Sequence, residues 1–118
     1  MQAVDLFVYG TLMIPDLFEN VAGFRPIYHD AQLADYSVRA LKDRAYPGLI
    51  RQAGEQANGL LIHGISPKAL ERLDQYEGPE YELGWVTVSS EGKRVQALTY
   101  LLGTNFQHLA LEQGWQLK

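Results

Sequence analysis

The strongest constraint on the fold is a pair of strand-like segments that are joined by a short turn. Glu82 to Ser89 and Arg94 to Leu102 are rich in β-branched, aromatic and aliphatic residues, which favour extended strands. The intervening Ser90-Glu91-Gly92-Lys93 is typical of a hairpin turn. A hairpin makes its two strands antiparallel neighbours, so we expect an antiparallel sheet.

Three further segments are predicted strands: Val4 to Tyr9, Asn58 to Ile65, and Ile27 to Ala40, which is either one bent strand or two. We predict a surface loop at Gln52 to Gln56 and a short helix within Asn105 to Gly114. Strands dominate and several are joined by hairpins rather than by helices. This pattern predicts an α+β domain with a mixed, mainly antiparallel β-barrel flanked by a few short helices.

Composition limits the classes of protein to which this chain can belong. The 118 residues are 47% hydrophobic and 20% charged, which predicts one globular domain over residues 1–118. The net charge of -4 and the lack of a Lys/Arg run argue against nucleic acid or an anionic membrane as a partner. The absence of cysteine excludes disulfides and thiolate catalysis. Neither a signal peptide nor a membrane span is evident, so we expect a cytoplasmic protein.

A short helix with clear boundaries is predicted after the strand that ends at Ile65. Ser66 can cap its first free N–H groups, and Gly78 allows a left-handed residue to end it. Leu70 and Leu73 share one face, and the next position on that face is Glu77. An apolar stripe therefore ends in a carboxylate where the chain must turn.

The position of Glu77 has two opposed interpretations. If the stripe carries its side chain towards the core, burial, the helix C-terminus and an ionised Asp74 would all raise its pKa. A carboxyl group with a raised pKa can take and return protons near neutral pH. Alternatively, Glu77 points to solvent beside Glu80 and Glu82, as most glutamates do.

A glycine follows the first predicted strand in Tyr9-Gly10-Thr11-Leu12. Glycine lets the backbone approach a ligand closely, and the N–H groups of Gly10, Thr11 and Leu12 would then be available to a carboxylate or an oxyanion. The sequence fits neither of the common glycine-rich phosphate-binding motifs. An ordinary glycine at the end of a strand is the alternative.

Four tyrosines lie at predicted strand ends or beside turns, where a ring can line a pocket and a hydroxyl can bind a ligand. Ordinary packing is the alternative for most of them. They are Tyr9, Tyr46, Tyr81 and Tyr100. His29, His63 and His108 are scattered without the spacing of metal ligands, so we expect neither a metal nor another cofactor.

Three segments together resemble the gamma-glutamylcyclotransferase-like family, and in particular its short branch, which includes gamma-glutamylamine cyclotransferases and plant avirulence-induced proteins. They are Leu6 to Met13, Tyr46-Pro47-Gly48, and Leu73 to Gly78 followed by Tyr81. The resemblance extends from Leu6 to about Tyr100. The first and third segments are specific as a pair, whereas each alone is not.

The resemblance implies a mixed β-barrel with a cavity at one end and a small-molecule γ-glutamyl substrate. It implies that the loop from Tyr9 to Leu12 holds the glutamyl portion and that Glu77 is the acid/base residue. In the implied reaction the α-amine attacks the side-chain carbonyl, 5-oxoproline forms and an amine leaves. Tyr46, Tyr81 and Tyr100 are further candidate substrate-binding residues.

Two alternatives remain open from the sequence. One is a non-catalytic binding or regulatory module that keeps the cavity without turnover. The other is a glycosidase-like pair formed by Asp74 and Glu77, although no aromatic platform for sugar binding is obvious. We expect a monomer or a weak dimer.

Overall fold

The computed structural model describes residues 2–117, so the ends of the predicted domain, Met1 and Lys118, lie outside the described residues. No helix in that range is long and apolar enough to cross a membrane. The elements, in chain order, are β1 (Val4–Val8), a 3-10 helix (Thr11–Met13), α1 (Pro15–Ala22), β2 (His29–Leu41), β3 (Pro47–Ile65), α2 (Pro67–Tyr76), β4 (Tyr81–Ser90), β5 (Lys93–Leu102), a second 3-10 helix (Thr104–Leu109) and β6 (Ala110–Gly114).

The strands form one six-stranded sheet in the order β3-β1-β5-β4-β2-β6. β2 also pairs with β3, so the sheet rolls back on itself. The β1–β5 pair is parallel, and the other paired strands are antiparallel. This arrangement confirms the predicted α+β class and the mainly antiparallel sheet.

The hairpin between β4 and β5 has the turn that the sequence predicts. Glu91 and Gly92 both take positive φ, at 51° and 76°, and Ser90 pairs with Lys93 across the turn. Two central residues with positive φ match the twist of the flanking strands. β4 and β5 then remain in register over their full length, from Ser90↔Lys93 to Tyr81↔Leu102.

The loop predicted at Gln52 to Gln56 is wrong, because these residues belong to β3. The β2–β3 ladder passes through this region with one irregularity between Ala34 and Tyr36. Asp35 and Gly54 take positive φ there, at 65° and 82°, and the Gly54 N–H donates to Asp35 Oδ1 over 3.0 Å. The irregularity is a bulge, and Gln52 to Gln56 continue in β3 through it. Opposite the bulge, β2 runs as a single bent strand.

The helix predicted within Asn105 to Gly114 is also largely wrong. The segment begins as a 3-10 helix and then forms β6, in which Gly114 pairs with Arg39 and Ala110 with Leu41. The edge of β2 offers backbone hydrogen-bond partners that a local helix would forgo. Tertiary pairing therefore overrides the local helical preference.

β1 is buried on both faces, as its continuous apolar sequence predicts. Leu6 and Val8 pack in a cluster with the two α-helices, whereas Phe7 and Tyr9 pack in a second cluster inside the rolled sheet. Gly59 of β3 lies against this strand, and a Cβ there would be 2.8 Å from Phe7 Cζ. The close contact fixes β1 in the middle of the fold, and the chain leaves it at Gly10.

Candidate functional site

A cavity of about 240 Å³ lies where β1 ends, and it brings together all eight residues singled out from the sequence. It is lined by the β1 strand and the loop after it, the segment before β3, the end of α2, and the strands β4 and β5. The lining residues are Phe7, Val8, Tyr9, Gly10, Thr11, Leu12, Ala45, Tyr46, Pro47, Tyr76, Glu77, Gly78, Tyr81 and Tyr100. The roles of the eight residues stay predictions.

Glu77 enters the cavity because α2 ends immediately before it. Ser66 caps the start of the helix, its side chain accepting from the Ala69 N–H at 3.1 Å. Leu73 is fully buried and holds the helix against the core. Glu77 itself is extended, with φ -72° and ψ 144°, and its N–H donates to the Leu73 carbonyl over 3.1 Å.

The left-handed conformation predicted for Gly78 is wrong, since Gly78 is not among the glycines with positive φ. The helix ends instead when Glu77 becomes extended. Glycine at position 78 still leaves room for a neighbour, because a Cβ there would force Oε1 of Glu80 to shift. The residue thus permits a close approach rather than an unusual backbone angle.

Glu77 is half-buried, and its surroundings favour the protonated carboxyl group. Burial raises the pKa of Glu77 to about 7, with smaller contributions from the charges of Asp74 and Glu80. The interpretation of Glu77 as a plain solvent-exposed residue therefore does not hold. A pKa near the working pH lets one carboxyl group accept a proton and then return it.

The loop after β1 forms the opposite wall. Its 3-10 helix closes with the Met13 N–H donating to the Gly10 carbonyl over 3.0 Å. The N–H groups of Thr11 and Leu12 lie in the first turn, so they have no partner within this helix. The Tyr28 hydroxyl donates to the Leu12 carbonyl over 2.6 Å and holds the loop from behind.

A direct contact joins the two walls. Thr11 Oγ1 and the Tyr76 hydroxyl are 3.3 Å apart, which links the loop to the last residue of α2. Tyr76 lines the cavity and is 44% exposed. Sequence reasoning missed it, although its position directly before Glu77 places it at the helix end that faces the loop.

Three of the four predicted tyrosines use their hydroxyl groups within the protein. The Tyr9 hydroxyl donates to the Tyr100 carbonyl, and that of Tyr81 donates to the Pro47 carbonyl. The Tyr46 hydroxyl donates to Glu80 Oε2 over 2.7 Å. These bonds position rings on the cavity wall rather than offering hydroxyl groups to a ligand.

Tyr100 differs from the others because its hydroxyl makes no hydrogen bond of good geometry in residues 2–117, although the Asp74 side chain lies close enough to act on it. The residue is only 4% exposed and lines the cavity. Burial, together with the charges of Asp74 and Glu77, raises the pKa of Tyr100, so its hydroxyl stays protonated. Buried polar groups are nearly always paired, so this hydroxyl is available to a polar group that enters the cavity.

Sequence reasoning also missed Glu80, which is 5% exposed and accepts hydrogen bonds from Tyr46 and Arg44. The strand period gives no signal for it, because Glu82 has the same two-residue phase and is exposed. A buried glutamate requires partners. Those partners come from a distant segment that periodicity does not reveal.

The other chemistry considered from the sequence receives less support. Asp74 is exposed and does not line the cavity, so the structure does not favour a glycosidase-like pair with Glu77. Within the described residues, no three His, Cys, Asp or Glu side chains are grouped to hold a metal ion. The polar groups that line the cavity include Glu77, the backbone N–H groups of the loop after β1, and tyrosine side chains.

Relatives of known fold share this architecture. A protein from Arabidopsis thaliana with a known solution structure superposes with a TM-score of 0.82 at 27% identity, covering 98% of this chain and 78% of that one. A solved structure named gamma-glutamyl cyclotransferase superposes with a TM-score of 0.76 at 17% identity, covering 86% of this chain and 67% of that one. The second likeness shows the fold alone.

Sequence comparison agrees with the fold. AIG2-like protein D of Arabidopsis thaliana is 32% identical over 100 residues, which covers 82% of this chain and 66% of that protein. AIG2-like protein C is 32% identical over 101 residues, covering 84% and 59%. The chain thus spans about three fifths to two thirds of the length of these relatives. The family model described as gamma-glutamyl cyclotransferase, AIG2-like, matches residues 6–117, and the chain belongs to that family.

Proposed function

We propose that this protein is a cyclotransferase that releases 5-oxoproline from a γ-glutamyl amine or amide. The observation that carries the proposal is the position of Glu77, which lines one cavity with the Gly10–Leu12 loop and has its pKa raised to about 7. The family to which the chain belongs supports this general class of reaction.

The reaction joins two groups of the same molecule, so the protein need not supply a nucleophile. The α-amine nitrogen of the glutamyl group forms a bond to its own γ-carbonyl carbon, and the bond from that carbon to the leaving nitrogen breaks. Holding the substrate in the folded conformation can contribute roughly 7–11 kcal/mol at best. The small cavity between the loop and α2 suits this task because it restrains a short chain.

Three further tasks fall to residues of the cavity. Ionised Glu77 takes a proton from the substrate ammonium group, which frees the amine to attack. Backbone N–H groups of the Gly10–Leu12 loop stabilise the oxyanion, and each such donor contributes about 3–4 kcal/mol in comparable sites. Glu77 then returns this proton to the leaving nitrogen, and the C–N bond to that nitrogen breaks. The ionised carboxylate takes the second proton from the ring nitrogen and passes it to the departing amine, which leaves as its ammonium form, so atoms and charge balance without water.

The test is incubation with γ-glutamyl conjugates of a simple alkylamine, a polyamine, a lysine side chain and an amino acid, followed by measurement of 5-oxoproline. We expect release from at least one conjugate by the native protein. Glu77→Gln should lower turnover by about 10²–10⁴-fold, because it removes the acid/base group while keeping the size of the side chain.

Glu82→Gln is the matched control, since Glu82 is exposed and does not line the cavity. It should retain native turnover. Asp74→Asn should also retain most activity, whereas a carboxylate pair would make it as damaging as Glu77→Gln. Binding of 5-oxoproline without turnover of any conjugate would contradict the proposal and favour a non-catalytic binding module.

A further inference from the structure

Glu80 is a buried carboxylate whose hydrogen-bond donors, Arg44 and Tyr46, lie far from it in the sequence. Its Oε2 accepts from the Tyr46 hydroxyl over 2.7 Å and from Arg44 Nε over 3.1 Å. The hydrogen bond from Tyr46 and the interaction with Arg44 lower the pKa of Glu80, although burial opposes them. Glu80 is therefore ionised at the pH where Glu77 titrates.

The second carboxylate oxygen of Glu80 is directed at the turn that follows α2. Oε1 makes no hydrogen bond of good geometry in residues 2–117, and the backbone N–H of Glu80 itself helps to lower the pKa of the carboxyl group. Oε1 also lies so close to Gly78 that a Cβ there would displace the Glu80 side chain. The same turn is closed by the Tyr81 N–H donating to the Gly78 carbonyl over 3.3 Å. The carboxylate is therefore held at the turn from both sides, by the two side chains on Oε2 and by the contact of Oε1 with Gly78.

The backbone of Glu80 is anchored as well. Its carbonyl accepts from the Gly103 N–H over 2.7 Å, which ties the turn to the end of β5. Tyr46 and Tyr81, which flank Glu80, line the cavity with ring centroids 6.1 Å apart. Glu80 thus connects the turn that carries Glu77 to the aromatic wall, without lining the cavity itself.

We propose that Glu80 is a positioning residue of this site, in which its carboxylate, held by Arg44 and Tyr46, fixes the turn that carries Glu77 and the Tyr46 wall of the cavity. This inference rests on the proposed function for its effect on turnover. The effect of Glu80 on Glu77 can be tested by titration without a substrate.

Glu80 also keeps a negative charge near Glu77 at all pH values where Glu77 titrates. The two carboxyl groups, three residues apart, thus have pKa values shifted in opposite directions. Such a difference lets one act as an acid/base residue while the other stays charged. Replacing Glu80 by a neutral residue would also leave the Arg44 cation uncompensated. The titratable and charged groups that act on the two carboxylates or face the same cavity are Tyr9, Arg44, Tyr46, Asp74, Tyr76, Tyr81 and Tyr100.

The primary experiment follows the Glu77 side-chain carboxyl signal by NMR as the pH is varied, in the native protein, Glu80→Gln and Glu82→Gln. We expect the Glu77 midpoint to move to lower pH in Glu80→Gln, because a nearby negative charge is lost and Arg44 is freed. Glu82→Gln makes the same change of charge two residues later in the chain, at an exposed position, so the midpoint should stay where it is in the native protein.

The kinetic readout separates positioning from a general loss of folding. With an active conjugate, Glu80→Gln should lower kcat/KM by on the order of tenfold, and the acid side of its pH profile should move to lower pH. A merely structural defect would lower activity without moving that profile. Tyr46→Phe keeps both charges but loses the hydrogen bond to Glu80, so KM should rise.

Tyr46→Phe also serves if Glu80→Gln does not fold, because it tests the clamp without removing the buried charge. An unchanged Glu77 midpoint in folded Glu80→Gln, or an unchanged KM in Tyr46→Phe, would overturn the positioning role. If the native protein releases no 5-oxoproline, the proposed function fails, whereas the NMR titration still decides the part played by Glu80.

Discussion

The two ends of the sheet use polar residues in opposite ways. β4 runs from Tyr81 at the cavity to the turn at Glu91, about 30 Å away at the usual rise per residue. At that far end, His29 Nδ1 lies 2.5 Å from Glu91 Oε1, and His63 Nδ1 lies 3.0 Å from Asp5 Oδ2. Each histidine there has a carboxylate partner.

The cavity end is arranged differently. Glu77 is half-buried with Asp74 and Glu80 nearby, and Tyr100 keeps a buried hydroxyl that makes no hydrogen bond of good geometry among the described residues. The far pairs include side chains that are 52% and 66% exposed, those of His63 and Glu91. Pairing in water makes carboxylates ordinary surface groups, whereas burial without a cation creates a group that exchanges protons.

The largest effect that would sharpen this contrast is the pH dependence of turnover. Glu77 must be ionised to accept a proton, so kcat/KM should fall on acidification below its pKa of about 7. Between pH 8 and pH 5 the loss should be roughly hundredfold, following the ionised fraction. The measurement is a pH profile of 5-oxoproline release, with circular dichroism at each pH to confirm folding. A plateau that extends down to pH 5 would show that Glu77 is no different from a surface carboxylate.

Tyr100→Phe should have the next largest effect. Removing the hydroxyl takes away one hydrogen bond to the ligand, so we expect 5-oxoproline to bind about tenfold more weakly. The melting temperature should change little, because the hydroxyl makes no hydrogen bond of good geometry within residues 2–117. Calorimetric titration and thermal unfolding measure both. Tyr36→Phe, at a tyrosine outside the cavity, is the matched control. Weaker folding with unchanged binding would mean that the hydroxyl has a structural partner.

Glu77→Gln should change stability in a pH-dependent way. Folding raises the pKa of Glu77 from 4.5 to about 7, so its contribution to stability is full below pH 4.5 and is lost as the pH rises through 7. The variant avoids that loss. At pH 8 it should be more stable by about 1 kcal/mol, which is below the value for a fully shielded group because water reaches the cavity. The gain should disappear near pH 4. Urea unfolding of the native protein and the variant at pH 4 and pH 8 measures the difference in stability. An equal gain at both pH values would contradict the expected link between the Glu77 pKa and stability.

The smallest effect is expected at the far end. Asp5→Asn weakens the exposed pair with His63. Asparagine keeps a side-chain oxygen that can still accept the hydrogen bond that the Gly64 N–H donates to Asp5 Oδ1 over 3.1 Å. The free energy of unfolding should change by about 0–1 kcal/mol. Turnover and its pH profile should match those of the native protein. A large change in turnover would mean that the two ends are coupled, and the contrast between them would fail.

Much of the fold was predictable because it depends on local patterns. The apolar run before Gly10, the turn at Glu91-Gly92 and the helix start at Ser66 each act through neighbours in the chain. The long β2–β3 ladder and β6 were not, since each depends on a partner strand that is distant in sequence. Gln52 to Gln56 reads as a loop by composition, and only the pairing with β2 extends it into a strand.

The sequence by itself determined which residues could carry the chemistry. An apolar stripe that ends in Glu77 and a glycine after a buried strand are properties of spacing, and both are visible without coordinates. Only the tertiary structure decided what those residues experience. The raised pKa of Glu77, the burial of the Tyr100 hydroxyl and the hydrogen bond from Arg44 to Glu80 arise from segments that folding brings together. Desolvation and charge act through space, so distance along the chain does not reveal them.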